Sequence, residues 1–191
     1  MNFPLGYLYS ATYAGIRQVE RNDLALIVSG LPATAAAIFT QNRVQAAPVR
    51  LSRANLKRSG GLAGAILVNA GNANCATRTG DRVALSTSKA AAKLLRLPPA
   101  QMLVASTGVI GVELEGAKIT NALPRLVEGL SPDRFDDVAH AIMTTDLVPK
   151  TASAEVKLRR GPVRIAGMTK GSGMIQPNMA TTLAFVMTDA Q

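Results

Sequence analysis

The sequence predicts an α/β fold in which mixed sheets are layered with helices. Five short runs are apolar on both faces, as is typical of strands buried between layers. They span residues 24–28, 36–39, 65–68, 102–105 and 183–187. Segments with helical periodicity lie between them, and the two kinds do not alternate strictly. That mixture favours a mixed sheet covered by helices over a regular βαβ array.

Three segments are predicted to be helices and one to be a hairpin. Residues 48–58 begin with Pro48 in the first turn, and residues 79–95 are rich in alanine. In residues 131–142, Ser131 is expected to be the N-cap and Pro132 the first helical residue. Residues 152–158 and 163–167 are separated by a short Gly-Pro turn, which predicts a hairpin.

Composition narrows the class of protein. Of 191 residues, 48% are hydrophobic and 17% charged, so the chain has enough apolar material to form a core. The formal charge of +9 suits nucleic acid, an anionic membrane or small anionic substrates, and does not choose among them. A single cysteine, Cys75, permits no internal disulfide. No secretory signal or membrane-length apolar run is present, which favours a cytoplasmic protein.

Three loops rich in small and polar residues are candidates for chemistry. They span residues 69–77, 106–111 and 170–182. A loop that follows a strand can direct backbone N–H groups at an anion or an oxyanion. Taken singly, each pattern is also that of an ordinary tight turn. None fits the phosphate-loop or dinucleotide fingerprint, so a nucleotide site is not predicted.

Several ordered motifs point to one family. The stretch KGSGMIQPNMATTLAF is preceded by AGIR, DLALIVSG, AAIFTQNRVQAAPV, LVNAGNANCAT, ASTGVIG and IMTTD. Together they resemble the ornithine acetyltransferases of arginine biosynthesis, also called bifunctional glutamate N-acetyltransferases. The resemblance covers nearly the whole chain. It implies a sandwich of paired sheets and helices, similar to that of self-processing aminopeptidases.

The resemblance also implies a self-cleaving precursor. Cleavage falls between Ala180 and Thr181, so that residues 1–180 form an alpha chain and residues 181–191 begin a beta chain. Family members transfer acetyl from N-acetylornithine to glutamate, and some also use acetyl-CoA as the acetyl donor. No metal or other cofactor is implied. The expected partner is the beta chain of the same precursor, in an α2β2 heterotetramer without nucleic acid or membrane.

Roles for individual residues follow from the same resemblance. Thr181 is the nucleophile, and Thr107 and Gly108 match the positions that stabilise the oxyanion. Lys170 and Thr144 match substrate-binding positions. The chemistry is reasonable from first principles, because a freed threonine α-amine has an unperturbed pKa of about 7.7–8.0 and can act as base for its own hydroxyl.

Other functions stay open at the level of sequence. A self-processing amidase or aminopeptidase of the same fold would pass the acyl group to water instead. A basic nucleic-acid-binding module is suggested by the charge alone, without zinc ligands, a helix-turn-helix signature or stacking aromatics. Members of the resembled family are about twice as long and complete the site with the second chain. A truncated, inactive fragment is therefore a further alternative.

Overall fold

A computed structural model describes residues 3–159, 161–172 and 182–190. Within them the chain forms two sheets and four α-helices. The strands are β1 (Tyr7–Thr12), β2 (Leu24–Thr34), β3 (Leu62–Asn69), β4 (Met102–Ser106), β5 (Lys150–Leu158), β6 (Gly161–Lys170) and β7 (Leu183–Thr188). The helices are α1 (Ala47–Arg58), α2 (Gly80–Leu94), α3 (Gly116–Glu128) and α4 (Phe135–Ala141), and a short 3-10 turn, Pro99–Gln101, precedes β4.

The first sheet has the strand order β1-β2-β3-β4. The first two pairings are antiparallel, whereas β3 and β4 are parallel and are joined through α2. Because parallel strands end at the same edge of a sheet, Asn69 of β3 lies opposite Ser106 of β4. The loops that follow these two residues therefore leave the sheet side by side.

Strand β2 is buried on both of its faces. Leu24 and Leu26 point into a core shared with α2, α3 and the neighbouring strands. Ala25 and Ile27 point the other way, into a second core. That core also receives Phe135 and other residues of α4, together with apolar residues of β6 and β7, so it joins the two sheets. The continuous apolar run of β2 is thus explained by burial between layers.

The second sheet has the order β5-β6-β7, with both pairings antiparallel. Ala166, Met168 and Met187 point into the core that joins the sheets. The opposite face carries apolar side chains that are exposed among the described residues. They include Val156, Leu158, Ile165 and Val186, the last of which is 73% exposed.

Most of the predicted elements are confirmed. Four of the five predicted strands lie within β2, β3, β4 and β7, and the predicted hairpin is formed by β5 and β6. The predicted helices 48–58 and 79–95 correspond to α1 and α2. The prediction of a strand at residues 36–39 was wrong. Ile38 there is 82% exposed, so this apolar run has no layer to be buried against.

The predicted start of the helix at Ser131 was also wrong. Helix α4 begins at Phe135, and its N-cap is Arg134. Ser131 instead pairs with Tyr9 of β1: the Tyr9 N–H donates to the Ser131 carbonyl at 2.9 Å, and the Ser131 N–H donates to the Tyr9 carbonyl at 3.0 Å. A backbone committed to this pairing cannot also open the helix. Neither β1 nor α3 was predicted from the sequence.

Candidate functional site

The ends of β3, β4 and β6 meet at one edge of the two sheets. Thr107, which follows β4, donates its backbone N–H to the carbonyl of Asn69 at 2.9 Å. Its side-chain hydroxyl oxygen lies 3.2 Å from Nζ of Lys170, the last residue of β6. Two of the predicted site residues, separated by 63 positions in the sequence, are therefore in direct contact.

Lys170 is a buried cation, with only 2% of the residue exposed. Burial lowers the pKa of Lys170, and the charge of Asp146 partly opposes this effect. The nearby positive charges of Arg17 and Lys150 add to the lowering. A buried ammonium is costly unless it is paired or hydrogen-bonded. The buried contact of Lys170 with the Thr107 hydroxyl is not expected of a lysine that serves only as a solvated surface charge.

Gly108 is held where no other residue fits. Its φ of +131° belongs to a region that side chains disfavour. A Cβ at this position would lie 2.5 Å from the carbonyl carbon and oxygen of Gly71. Among the described residues, no acceptor is hydrogen-bonded to the Gly108 N–H. This N–H and the hydroxyl of Thr107 are two adjacent polar groups that the local backbone pairing does not consume.

The side chain of Asn69 shapes the loop against which Gly108 packs. Its Oδ1 accepts the N–H of Gly71 at 2.9 Å, and its Nδ2 donates to the carbonyl of Asn72 at 2.7 Å. A buried asparagine that satisfies its own polar atoms in this way folds the loop tightly. The predicted loop at 69–77 is thus a support for the loop at 106–111.

Asp146 joins Thr144 to the end of β6. Its buried carboxylate accepts the N–H of Gly171 at 2.8 Å, the N–H of Thr144 at 3.3 Å, and the ammonium of Lys150. Burial by itself would raise the pKa of Asp146. The hydrogen bonds from Lys150, Gly171 and Thr144 outweigh this effect and lower the pKa from 3.8 to about 2. The carboxylate is therefore a stable anchor at neutral pH.

Thr144, a predicted substrate-binding residue, is half-buried beside this anchor. Its neighbour Thr145 is exposed, and the hydroxyl of Thr145 lies 3.2 Å from that of Ser172. Both threonines thus lie near the start of the connection between β6 and β7.

Arg17 ties this segment to the loop after β3. Its guanidinium donates to the carbonyls of Ala70 at 2.7 Å and Ala141 at 3.4 Å, and also to that of Met143. Burial lowers the pKa of Arg17 to about 10, with the charge of Arg21 contributing and that of Asp23 opposing. At neutral pH the side chain remains a charged, planar donor that bridges two segments of the site.

Ala180 and Thr181, the predicted cleavage site and nucleophile, lie outside the described residues. Their sequence neighbours on the C-terminal side are described. Leu183, two positions after Thr181, is paired with Lys170 across the β6–β7 ladder. The hydroxyl of Thr169 also donates to the carbonyl of Leu183 at 3.0 Å.

Other features of the described residues are separate from this edge. A surface pocket of about 230 Å³ is lined by residues that include Arg43, Arg50, Asn74 and Thr77, and neither Thr107 nor Lys170 lines it. No group of three or more metal-ligating side chains is found in the part of the chain that the structure describes. In the same part, no helix is long and apolar enough to span a bilayer.

The roles of Arg17, Asn69 and Asp146 in holding the loops of the site were not predicted from the sequence. Each lies inside a motif that was quoted for its resemblance, namely AGIR, LVNAGNANCAT and IMTTD. A polar residue next to an apolar run is a weak signal for such a role. These side chains bind backbone groups that are distant in the sequence, and a local sequence pattern does not show which distant groups a side chain will meet.

Comparison with known proteins identifies a family that matches most of the chain. Its sequence matches the ArgJ family over residues 8–191. It is 50% identical to the arginine biosynthesis bifunctional protein ArgJ of Thermus thermophilus, over 100% of this chain and 48% of the relative. It is 46% identical to the protein of the same name from Nitratidesulfovibrio vulgaris, over 98% of this chain and 48% of the relative. The chain thus spans about half the length of the curated relatives it matches.

Solved structures agree on the fold. A crystal structure of the arginine biosynthesis bifunctional protein ArgJ from Bacillus halodurans matches with a TM-score of 0.83 and 34% identity, over 93% of this chain and 92% of that one. An ornithine acetyltransferase from Mycobacterium tuberculosis, in complex with ornithine, matches with a TM-score of 0.82 and 33% identity, over 92% and 93%. The predicted α/β fold of layered sheets and helices is confirmed. The chain belongs to the ArgJ family of arginine biosynthesis.

Proposed function

We propose that this chain is the N-terminal part of a cytoplasmic acetyltransferase that moves acetyl from N-acetylornithine to glutamate. In this proposal the polypeptide is cut between Ala180 and Thr181, and Thr181 then carries the acetyl group as an ester. Residues 1–180 form the first chain, and residue 181 begins the second. The observation that carries the proposal is the contact of Lys170 with Thr107 at the strand end that is paired with Leu183.

The proposed cleavage begins with attack of the Thr181 hydroxyl on the carbonyl carbon of Ala180. The peptide C–N bond breaks as the ester between Ala180 and Thr181 forms, and this frees the α-amine of Thr181. Water then hydrolyses the ester, which restores the Thr181 hydroxyl and leaves Ala180 with a terminal carboxylate. Negative charge develops on the carbonyl oxygen during each addition. The hydroxyl of Thr107 and the N–H of Gly108 are the donors assigned to that oxygen.

Acetyl transfer reuses these groups. The freed amine, with an unperturbed pKa of about 7.7–8.0, takes the proton of the Thr181 hydroxyl as that oxygen attacks the acetyl carbonyl of N-acetylornithine. Ornithine leaves with the proton, and the amine of glutamate attacks the acetyl ester. N-acetylglutamate is released, and the Thr181 hydroxyl is restored. The charge of Lys170 suits a substrate carboxylate.

The comparisons support this proposal at two points. The Mycobacterium tuberculosis protein is an ornithine acetyltransferase whose structure contains ornithine. The curated relatives are about twice as long as this chain, whereas the matched chains in the solved structures are covered over 92–93% of their length. A protein that is made as one chain and works as two would produce this difference.

This chain also has an exposed apolar surface on which the second chain could pack. The outer face of the β5-β6-β7 sheet exposes Val156, Leu158, Ile165 and Val186. Exposed apolar patches of this kind mark contact surfaces. We assign this face to the part of the second chain that follows residue 191, in an α2β2 assembly; Val186 of β7 is itself part of the second chain. An acetyl-transfer assay with acetyl-CoA in place of N-acetylornithine tests whether acetyl-CoA is an additional acetyl donor.

The test is intact-mass spectrometry and product analysis of the protein expressed from its complete gene. We expect two fragments that separate between Ala180 and Thr181, and N-acetylglutamate as product. Thr181→Ala should stay uncut and inactive, Thr181→Ser should retain a slower reaction, and the neighbouring Thr182→Ala should still be cut. Cleavage or acetyl transfer by Thr181→Ala would contradict the proposal. Acetate in place of N-acetylglutamate would instead indicate an amidase of the same fold.

A further inference from the structure

We infer that Lys170 is a positioning residue for the oxyanion site, acting through the hydroxyl of Thr107, in addition to attracting a substrate carboxylate. This inference rests on the proposed function and extends it. It assigns Lys170 a part in self-cleavage, a step in which no free substrate is bound. The contact between Nζ of Lys170 and Oγ1 of Thr107, at 3.2 Å, is its basis.

The direction of the hydrogen bond follows from the chemistry of the two groups. A lysine ammonium has three donors and no acceptor, so in this contact the oxygen of Thr107 must accept. The hydroxyl proton of Thr107 is then free to point at another acceptor. Without the ammonium, the hydroxyl could turn and its oxygen lone pairs could face the developing oxyanion. Lys170 therefore selects the donor orientation of Thr107.

The backbone leaves Thr107 no other donor for this task. Its own N–H is committed to the carbonyl of Asn69 at 2.9 Å. The hydroxyl is thus the one donor that Thr107 can give to an oxyanion, next to the N–H of Gly108. Asn69 fixes the backbone of Thr107, and Lys170 fixes the polarity of its side chain.

Burial strengthens the effect. Lys170 is 2% exposed and Thr107 is 8% exposed. A hydrogen bond from a charged donor in a poorly solvated site polarises the group that accepts it. The O–H of Thr107 thereby becomes a stronger donor. Asp146 and its bond to the N–H of Gly171 hold the end of β6 in place, which keeps the ammonium against the hydroxyl.

Self-cleavage separates this role from substrate binding. If Lys170 only bound a substrate carboxylate, Lys170→Met would raise KM for glutamate and leave the rate of cleavage at Ala180 unchanged. If Lys170 acts through Thr107, the same variant slows cleavage as well. Once Thr107 has lost its hydroxyl, the loss of Lys170 should have little further effect on cleavage.

The experiment measures the cleavage rate of the complete precursor by intact mass over time, for wild type, Lys170→Met, Thr107→Val and the double variant. Loss of an oxyanion donor typically slows a reaction about 100- to 1,000-fold, which is the expectation for Thr107→Val. We expect Lys170→Met to be slowed at least about tenfold, and the double variant to be no slower than Thr107→Val. Lys89→Met, which makes the same substitution at an exposed lysine of α2, serves as matched control.

A neutral side chain with a donor provides the second variant. Lys170→Gln keeps an amide that can donate to Thr107 but lacks the charge for a carboxylate. We expect it to cleave faster than Thr107→Val while its KM for glutamate stays raised. This comparison stands even if Lys170→Met fails to fold, which thermal melting will show.

The outcomes separate the two proposals. Cleavage of Lys170→Met at the wild-type rate, with only KM raised, would overturn the inference and leave the proposed function standing. A double variant whose cleavage is slowed by the product of the two single effects would also overturn the inference, because the two residues would then act independently. A wild-type precursor that stays intact would overturn the proposed function and this inference with it.

Discussion

Replacing Asp146 with asparagine removes one negative charge from the junction of Thr144 and Gly171 with almost no change in shape. The residue is buried, and its carboxylate accepts hydrogen bonds from two backbone N–H groups and from Lys150. An asparagine offers one oxygen in place of two, so its NH₂ group must face one of these donors. We expect a loss of stability that exceeds that of any exposed carboxylate.

The magnitude follows from the pKa. A folded-state pKa of about 2, against 3.8 for the unconstrained group, corresponds to about 2 kcal/mol of stability at neutral pH. The donor left facing an NH₂ group adds a desolvation cost of about 1–2 kcal/mol. Part of the first contribution comes from the half-exposed Lys150 and is reduced by solvent screening. We therefore expect Asp146→Asn to lower the free energy of unfolding by about 2–4 kcal/mol.

The pH dependence gives a sharper check. The pKa of Asp146 is depressed in the folded state, so its stabilising contribution is present above pH 3.8 and is lost as the pH falls through about 2. Between pH 5 and pH 3, the difference in unfolding free energy between wild type and Asp146→Asn should shrink by about 1 kcal/mol. Urea denaturation at the two pH values measures this difference directly.

A matched substitution separates burial from charge. Asp81 pairs with Arg50 on the surface, and its side chain is 74% exposed. Exposed ion pairs contribute about 0–1 kcal/mol, so Asp81→Asn should have a small effect. An Asp146→Asn effect no larger than that of Asp81→Asn, or one that is the same at pH 5 and pH 3, would refute the reasoning.

Two further substitutions test the supports of the site. Gly108→Ala should destabilise the protein and abolish self-cleavage, because a Cβ would lie 2.5 Å from the carbonyl of Gly71. A thermal melt measures the stability and intact mass measures the cleavage, and cleavage at the wild-type rate would contradict this prediction. Arg17→Lys keeps the charge but loses the planar set of donors that joins the carbonyls of Ala70 and Met143, so we expect a loss of about 1–3 kcal/mol in urea denaturation. Unchanged stability of Arg17→Lys would show that the positive charge at this position matters and the planar set of donors does not.

The sequence predicts the parts of this fold that are decided locally. Continuous apolar runs identified the strands that lie between layers, such as β2 and β3, because burial on both faces favours apolar residues at successive positions. Strand β1 was missed because its polar residues, including Ser10, interrupt the apolar pattern although they are buried in the structure. Helix α3 was missed because it contains Pro124, which normally argues against a helix interior.

The sequence predicts the residues of the candidate site but not the contacts between them. Thr107, Gly108, Thr144 and Lys170 were identified through ordered motifs that resemble one family. Nothing in the pattern around Thr107 or Lys170 shows that their side chains touch across 63 positions. That contact depends on how β4 and β6 are placed by their two sheets, and sheet order is a property of the whole chain.

The buried polar groups at this edge divide into two sets according to what they bind. Asn69, Asp146 and Arg17 bind backbone groups, and their hydrogen bonds hold in place the loops that follow β3 and β4 and the end of β6. The second set is the hydroxyl of Thr107, the N–H of Gly108 and the ammonium of Lys170, which the backbone of the described residues does not consume. Thr107 and Lys170 are buried and hydrogen-bonded to each other, whereas the adjacent Gly108 is exposed, so these donors lie where the protein interior meets the solvent. Their placement beside β7, the strand that follows Thr181 in the sequence, supports the proposal that they are preorganised for an oxyanion.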